Sequence, residues 1–332
     1  MESYVSRINT TNKQEISDEV LETYAKSCLN ELKNRLDEQL VAKRNQQKKI
    51  EQGIYQRWKR PIDLLEVLID FSLGIAIEKK KELNEKGEFN FKYAALVKIH
   101  ARSLLISNEI LLLLKGGYPD GGYARWRSLY ELEVISCFLD MQDEYVSERY
   151  LKHEIMREYK KMFNYQKYHS KIGYESYTEE ELKQMKKNHD QMIDKYGQEF
   201  EYGYGWEWIP DSIIKGRNRN LTKLAEYVGI DHFRPYYDVS SDKVHGGSKG
   251  FNHMGLPKDR RDSILLAGPS MYGMADPLHG SAISLQRTTL YLIKQEANPS
   301  NIIEMKMMEK IVNDIGQSSL EIHQELEKNG HG

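Results

Sequence analysis

The 332-residue sequence predicts an all-α protein: a helical bundle around a central antiparallel helix hairpin, with a long N-terminal helix. Three observations carry that expectation. Apolar residues recur three and four apart through most of the chain, as one buried face of a helix requires. No run of alternating β-branched residues suggests a sheet. Two nearly all-apolar segments flank the short turn GGYPDGG at 116–122, which forces them into an antiparallel pair.

The elements follow in order. Over 17–58 the pattern is helical and charged, with Ser17 or Asp18 as cap. Val20, Leu21, Tyr24, Cys28, Leu32, Leu36 and Leu40 form a narrow apolar stripe, suited to lie on the body or on a second subunit. The basic end of this segment reads as a solvated face or a phosphate-contacting arm. Residues 1–60 are therefore expected to form a helical arm, and 61–332 a helical domain with its core over 90–297. Pro61 fits the first turn of a new helix to about residue 85, buried in its first half and wet over 79–86.

Asn90 caps the next helix, which ends at Gly116-Gly117. After the turn at 118–122 comes the helix of Trp126, Leu129, Tyr130, Val134 and Phe138. A Tyr-, Lys- and Glu-rich helix is expected over 143–171, then a charged one opened by a Thr178–Glu181 capping box and ending near 195. Residues 200–213, FEYGYGWEWIPDSI, read as a small hairpin or an aromatic-lined loop, followed by the basic stretch IKGRNRN. A short helix at 221–228 and a helical piece ending at Asp242 and His245 precede a long loop over 246–275. Helices starting at Asp276-Pro277 and spanning 301–327 close the fold.

Composition narrows function. Hydrophobic residues at 39% and charged residues at 30% fit a soluble globular protein. A net charge of −2 predicts no nucleic-acid partner from bulk charge, so any such site must be a local patch. The two cysteines, Cys28 and Cys137, are far apart and outside any CxxC, which argues against a disulfide scaffold or zinc site. The start MESYVSRINT lacks an apolar signal core, and the most hydrophobic run, 101–114, is short and interrupted by Arg102, Asn108 and Glu109. The expectation is a cytoplasmic protein with no membrane association, no metal and no cofactor. The phosphate-loop, dinucleotide, HExxH and ExxH signatures do not occur.

The chemistry-bearing residues fall on two distant stretches. Arg125, Arg127, Glu131 and Glu133 sit on the apolar second helix of the hairpin, where charge is costly unless paired or used. Arg125 reads as a surface residue near the turn. Arg127 and Glu131, one turn apart, are either a core ion pair or part of a site. In the second stretch, YYDVSSDKVHGGSKG at 236–250, Asp242 faces His245 at i, i+3 and is placed to orient its imidazole. His245 reads as a core histidine or a site residue, the latter favoured by Gly246 and Gly247, which admit a ligand to backbone amides. Tyr236, Tyr237, Ser240 and Ser241 belong to the same region.

GGYARWRSLYELEVISCFL together with SDKVHGG resembles a large bacterial and phage-borne domain family of unknown function whose members carry an RxxxE helix and a later SxxxH element. That family is similar to the HEPN superfamily, all-helical proteins of toxin and antiviral defence (abortive infection) systems. The resemblance implies a metal-independent ribonuclease at a homodimer interface. His245 would be the general acid or base, Arg127 the phosphate stabiliser, Glu131 the residue fixing the guanidinium and Asp242 the imidazole orienter. The Arg that active HEPN enzymes carry with four to six residues between it and the His is missing here, its positions being Asp238, Val239 and Ser240. Ser241, Lys243, Gly246, Gly247, Tyr237, Arg217 and Arg219 would bind substrate, with Lys215 and Lys249 guiding the backbone and Trp206, Trp208 or Tyr236 stacking on bases. The rival expectation is a non-catalytic module that binds a nucleotide, RNA or a protein partner.

Overall fold

A computed structural model of the chain describes residues 17–86, 90–201, 203, 205–245, 254–257, 260, 264–294 and 299–329. These residues are helical with no strand among them, as expected. The chain divides into two compact units, Met1–Gly53 and Ile54–Gly332.

The first unit holds α1 (Asp18–Asn34) and the start of α2 (Leu36–Lys86), separated at Arg35 rather than fused into the single helix expected over 17–58. α1 buries none of its residues; Val20, Leu21, Tyr24 and Leu32 stay more than 40% exposed. Pro61 falls in the first turn of a second helical run, as expected. It lies inside α2, and the backbone departs from helical angles at Trp58, three residues earlier. A proline removes one hydrogen bond and crowds the preceding turn, so a kink there is the physical outcome. The expected wet tail is partly wrong: Lys79 is 5% exposed.

The second unit is built on three mutually packed helices, α3 (Phe91–Lys115), α4 (Pro119–Met141) and α9 (Ala275–Ile293). Asn90 caps α3 by accepting from the Tyr93 amide at 2.8 Å. Pro119 takes the first position of α4, so the hairpin connection is three residues, shorter than the expected five. Gly117 makes it possible. Its φ is +81°, and a Cβ there would meet Ile54 at 2.5 Å.

Trp126, Leu129, Tyr130, Val134 and Phe138 of α4 are all at most 2% exposed. Each contributes about 1.5–3 kcal/mol by leaving water. The polar residues on these faces are paired across helices. Glu133, 1% exposed, accepts from Ser284 and Arg287 of α9, both at 2.6 Å. His100 of α3 meets Thr289 of α9 at 3.0 Å. Arg125, expected at the surface, is half-buried and pairs with Glu109 of α3; two charges brought under a hairpin need each other.

Around this centre, α10 (Pro299–Asn329) packs on α9, and α5 (Glu144–Tyr168) on α3. α6 (Glu179–Tyr196) lies on α5, and the predicted Thr178–Glu181 capping box is present at its start. α7 (Leu221–Val228) and α8 (Arg234–Asp242) pack on α4.

Two measurements check this account. Glu133→Ala leaves Arg287 and Ser284 without their buried acceptor, and urea unfolding is expected to show a loss of about 3–5 kcal/mol. Burial pushes the His100 imidazole down from 6.5 to about 4. The unfolded chain therefore takes up this proton first, so the stability His100 gives is full above about 6.5 and falls as pH drops toward 4. The shift corresponds to roughly 3 kcal/mol. His100→Gln is expected to flatten the fall in melting temperature between pH 7 and 4; an unchanged slope contradicts it.

Candidate functional site

The Arg127–Glu131 pair of α4 is joined by a third residue, from α8. Arg127 Nε donates to the Tyr237 hydroxyl at 2.8 Å, and that hydroxyl donates to Glu131 at 2.8 Å. Arg127 Nε also stands 3.4 Å from the same carboxylate oxygen, and its guanidinium lies 5.0 Å from the Tyr237 ring centre. Burial pushes the Tyr237 phenol up, with Arg127 opposing and Glu131 adding to the rise. The phenol therefore remains an un-ionised bridge at neutral pH.

All of these bonds are made by the Nε edge of Arg127. Its two terminal nitrogens carry no hydrogen bond or ion pair among the described residues, and the side chain is 26% exposed. A guanidinium held by one edge presents its other edge as a two-donor fork, the geometry that grips phosphate or carboxylate oxygens.

Tyr237 and Ser241 fall four apart on one stripe of α8, and His245 follows four residues later, three beyond the helix end. Ser241 Oγ donates to the Tyr237 carbonyl at 3.0 Å, and the His245 amide donates to the Ser241 carbonyl at 3.2 Å. Eight residues at helical rise correspond to about 12 Å, and helical side chains lean back toward the N-terminus. His245 is exposed, and no hydrogen bond or ion pair reaches its ring among the described residues. None joins it to Asp242, which is half-buried.

Other expected site residues are placed differently. Lys243 is 6% exposed and lies 3.4 Å from Asp120, in the first turn of α4, whose carboxylate also accepts from the Met254 amide. Arg219 donates to the Ile209 carbonyl at 2.8 Å and pairs with Asp211, which makes it a brace for the loop before α7. Trp208 is 3% exposed, while Tyr236 is 48% exposed. Lys215 is exposed. Gly246, Gly247 and Lys249 lie outside the described residues, as does the Arg217 side chain.

Glu131 also faces a cleft of about 500 Å³ bounded by α3, α4, α5 and the tryptophan loop. Lys98, Arg102 and Arg157 line it, are exposed and carry no ion pair among the described residues; Trp206 lines it too. Glu131 and Glu154 also line the cleft, so it carries a slight cationic excess beside its aromatic wall. His153 lies in it, 3.8 Å from Glu207, and burial outweighs that carboxylate and pushes its imidazole down to about 4.

The loop expected as a hairpin or aromatic-lined loop is a loop. Arg149 of α5 organises it, buried to 1% and donating to the Trp208 and Glu207 carbonyls at 2.9 and 3.0 Å and to Glu199. Sequence reasoning missed Arg149 and the cleft cations. For Lys98 and Arg102 a signal existed, since they stand one turn apart on a mostly apolar helix. Arg149 and Arg157 are lost in a segment already rich in charge.

A family model matches residues 93–262, just over half of the chain, and the chain belongs to that family, described as a family of unknown function (DUF5677). The match takes in α3 to α8, and with them both the Arg127–Tyr237–Glu131 cluster and the cationic cleft. No curated protein and no solved structure matches the chain.

Tyr237→Phe removes the bridging hydroxyl and leaves Arg127 and Glu131 to pair alone. It is expected to cost about 1–2 kcal/mol in urea unfolding, with the helical circular dichroism unchanged; a neutral effect contradicts the bridging role.

Proposed function

We propose that this chain is a metal-independent, HEPN-like ribonuclease, with Arg127 gripping the scissile phosphate and His245 moving the proton. The observation that carries the reading is the Arg127 guanidinium, pinned along one edge by Tyr237 and Glu131 with its terminal fork free among the described residues. Such a preset cation stabilises charge that develops on a phosphate without reorganising during the reaction.

His245 lies three residues beyond the end of α8, exposed and unengaged among the described residues. It takes the proton from a ribose 2′-hydroxyl. The 2′-oxygen attacks phosphorus, the bond to the 5′-oxygen breaks, and that oxygen leaves with a proton from water, giving a 2′,3′-cyclic phosphate and a 5′-hydroxyl, while His245 returns its proton to solvent. The cleft of Lys98, Arg102, Arg157 and Trp206 suits the flanking strand, through phosphate contacts and base stacking. The HEPN likeness brings with it a homodimer and a setting in toxin or antiviral defence.

A second reading, RNA binding without cleavage, is favoured by one observation: eight residues separate Tyr237 from His245. One experiment divides the two. Purified protein incubated with total RNA in EDTA is expected to yield 2′,3′-cyclic phosphate ends. His245→Ala and Arg127→Ala each slow the cut about 100-fold or more. Cleavage that persists in both variants overturns the assignment of residues. RNA retained by the wild type without any cut supports the binding module instead.

A further inference from the structure

A second cavity, which shares no lining residue with the cleft of Lys98, Arg102 and Arg157, lies where α4, α9 and α10 meet the segment leading into α8. Its volume is about 520 Å³, within the range of pockets that enclose small molecules. We propose that it binds a neutral, flat heteroaromatic molecule of nucleobase or nucleoside type, without phosphate.

Four observations combine. First, four aromatic residues line it: Tyr123 and Trp126 of α4, each 2% exposed and stacked on one another at 5.4 Å and 9°, together with Phe233 and Tyr236. Tyr236 is 48% exposed, so one ring of the wall is open to solvent. Rings of this kind stack on any base.

Second, two polar atoms in the lining are buried and unsatisfied. Ser319 is 1% exposed, and its hydroxyl has no hydrogen-bond partner among the described residues; neither has the buried Nδ1 of His323, one turn further along α10. Buried hydroxyls and ring nitrogens normally find partners, and leaving one unmade costs stability. Both residues line the cavity, so a rotation of either side chain offers its unmet group to the hydrogen-bonding edge of a ligand there.

Third, glycines carve the space. A Cβ at Gly316 of α10 would sit 2.6 Å from His279 Nε2, and one at Gly280 of α9 would sit 3.0 Å from Trp126 Nε1. These two glycines let an imidazole and an indole approach backbone at the cavity wall. Burial also pushes the His279 imidazole down, partly opposed by Asp276. It therefore faces the cavity as a neutral ring able to donate or accept.

Fourth, the lining holds Asp276, Asn313 and Gln317 but no lysine or arginine. That separates it from the cationic cleft. A phosphate would meet a carboxylate there and no counter-charge, whereas the ring edges of a base meet carboxylate, amide, imidazole and hydroxyl groups. The site therefore reads an uncharged base, and it stands independently of the ribonuclease reading.

The test is isothermal titration of the purified full chain with guanosine, adenosine, cytidine and uridine, and with their 5′-monophosphates. At least one nucleoside is expected to bind saturably with a Kd on the order of 100 µM or tighter, and its monophosphate at least tenfold more weakly. Tyr236→Ala is expected to weaken that binding roughly tenfold. Ser319→Ala is expected to weaken it several-fold while leaving the melting temperature of the ligand-free protein unchanged or raised, which a structural role for the hydroxyl would not do. No saturable binding by any nucleoside overturns the proposal. So does binding indifferent to both substitutions, and so does a monophosphate that binds as tightly as its nucleoside.

Discussion

The fold depends on how one apolar helix accommodates charge. α4 carries two arginines and two glutamates among Trp126, Leu129, Tyr130 and Val134, and each charge is answered by a different neighbour. Arg125 takes Glu109 of α3, Glu133 takes Ser284 and Arg287 of α9, and Arg127 with Glu131 takes Tyr237 of α8. The requirement that buried charge be paired is thereby converted into three inter-helix registrations. The first two are closed, while the third leaves a fork of donors free among the described residues. That difference separates architecture from candidate chemistry.

The same constraint places the rest of the site. Asp120, in the first turn of α4, holds Lys243 at the end of α8, two residues before His245. Tyr237 holds the middle of α8 to α4. The segment bearing the imidazole is thus tied at two points to the helix bearing the guanidinium. Membership in a family of unknown function, over a span that takes in both helices, agrees with the two forming one structural unit.

Much of this was legible in the chain itself, because helices announce themselves by period and cap. Asn90, the Thr178–Glu181 box and Gly117 marked ends that the structure reproduces. Pro61 marked a real break, because a residue with no amide proton fits the first turn after the non-helical Trp58. The pairing of Arg127 with Glu131 was visible from their spacing, but its completion by Tyr237 was not, since a residue 106 positions away from Glu131 has no local trace. Lys243 misled for the same reason: as a lysine beside a histidine it looked available, and only the fold brings Asp120 to it. The cationic cleft was half visible in Lys98 and Arg102 and completed by Arg157 from another helix.

The central claim is that Arg127 and His245 address one ribose–phosphate unit. A crystal structure with a dinucleotide carrying a 2′-deoxy sugar at the scissile position tests it most directly. The account predicts phosphate oxygens on the terminal nitrogens of Arg127 and the His245 ring against the sugar 2′-carbon, with Tyr237 and Glu131 unmoved. A phosphate bound elsewhere, with Arg127 touching only Tyr237 and Glu131, would contradict it.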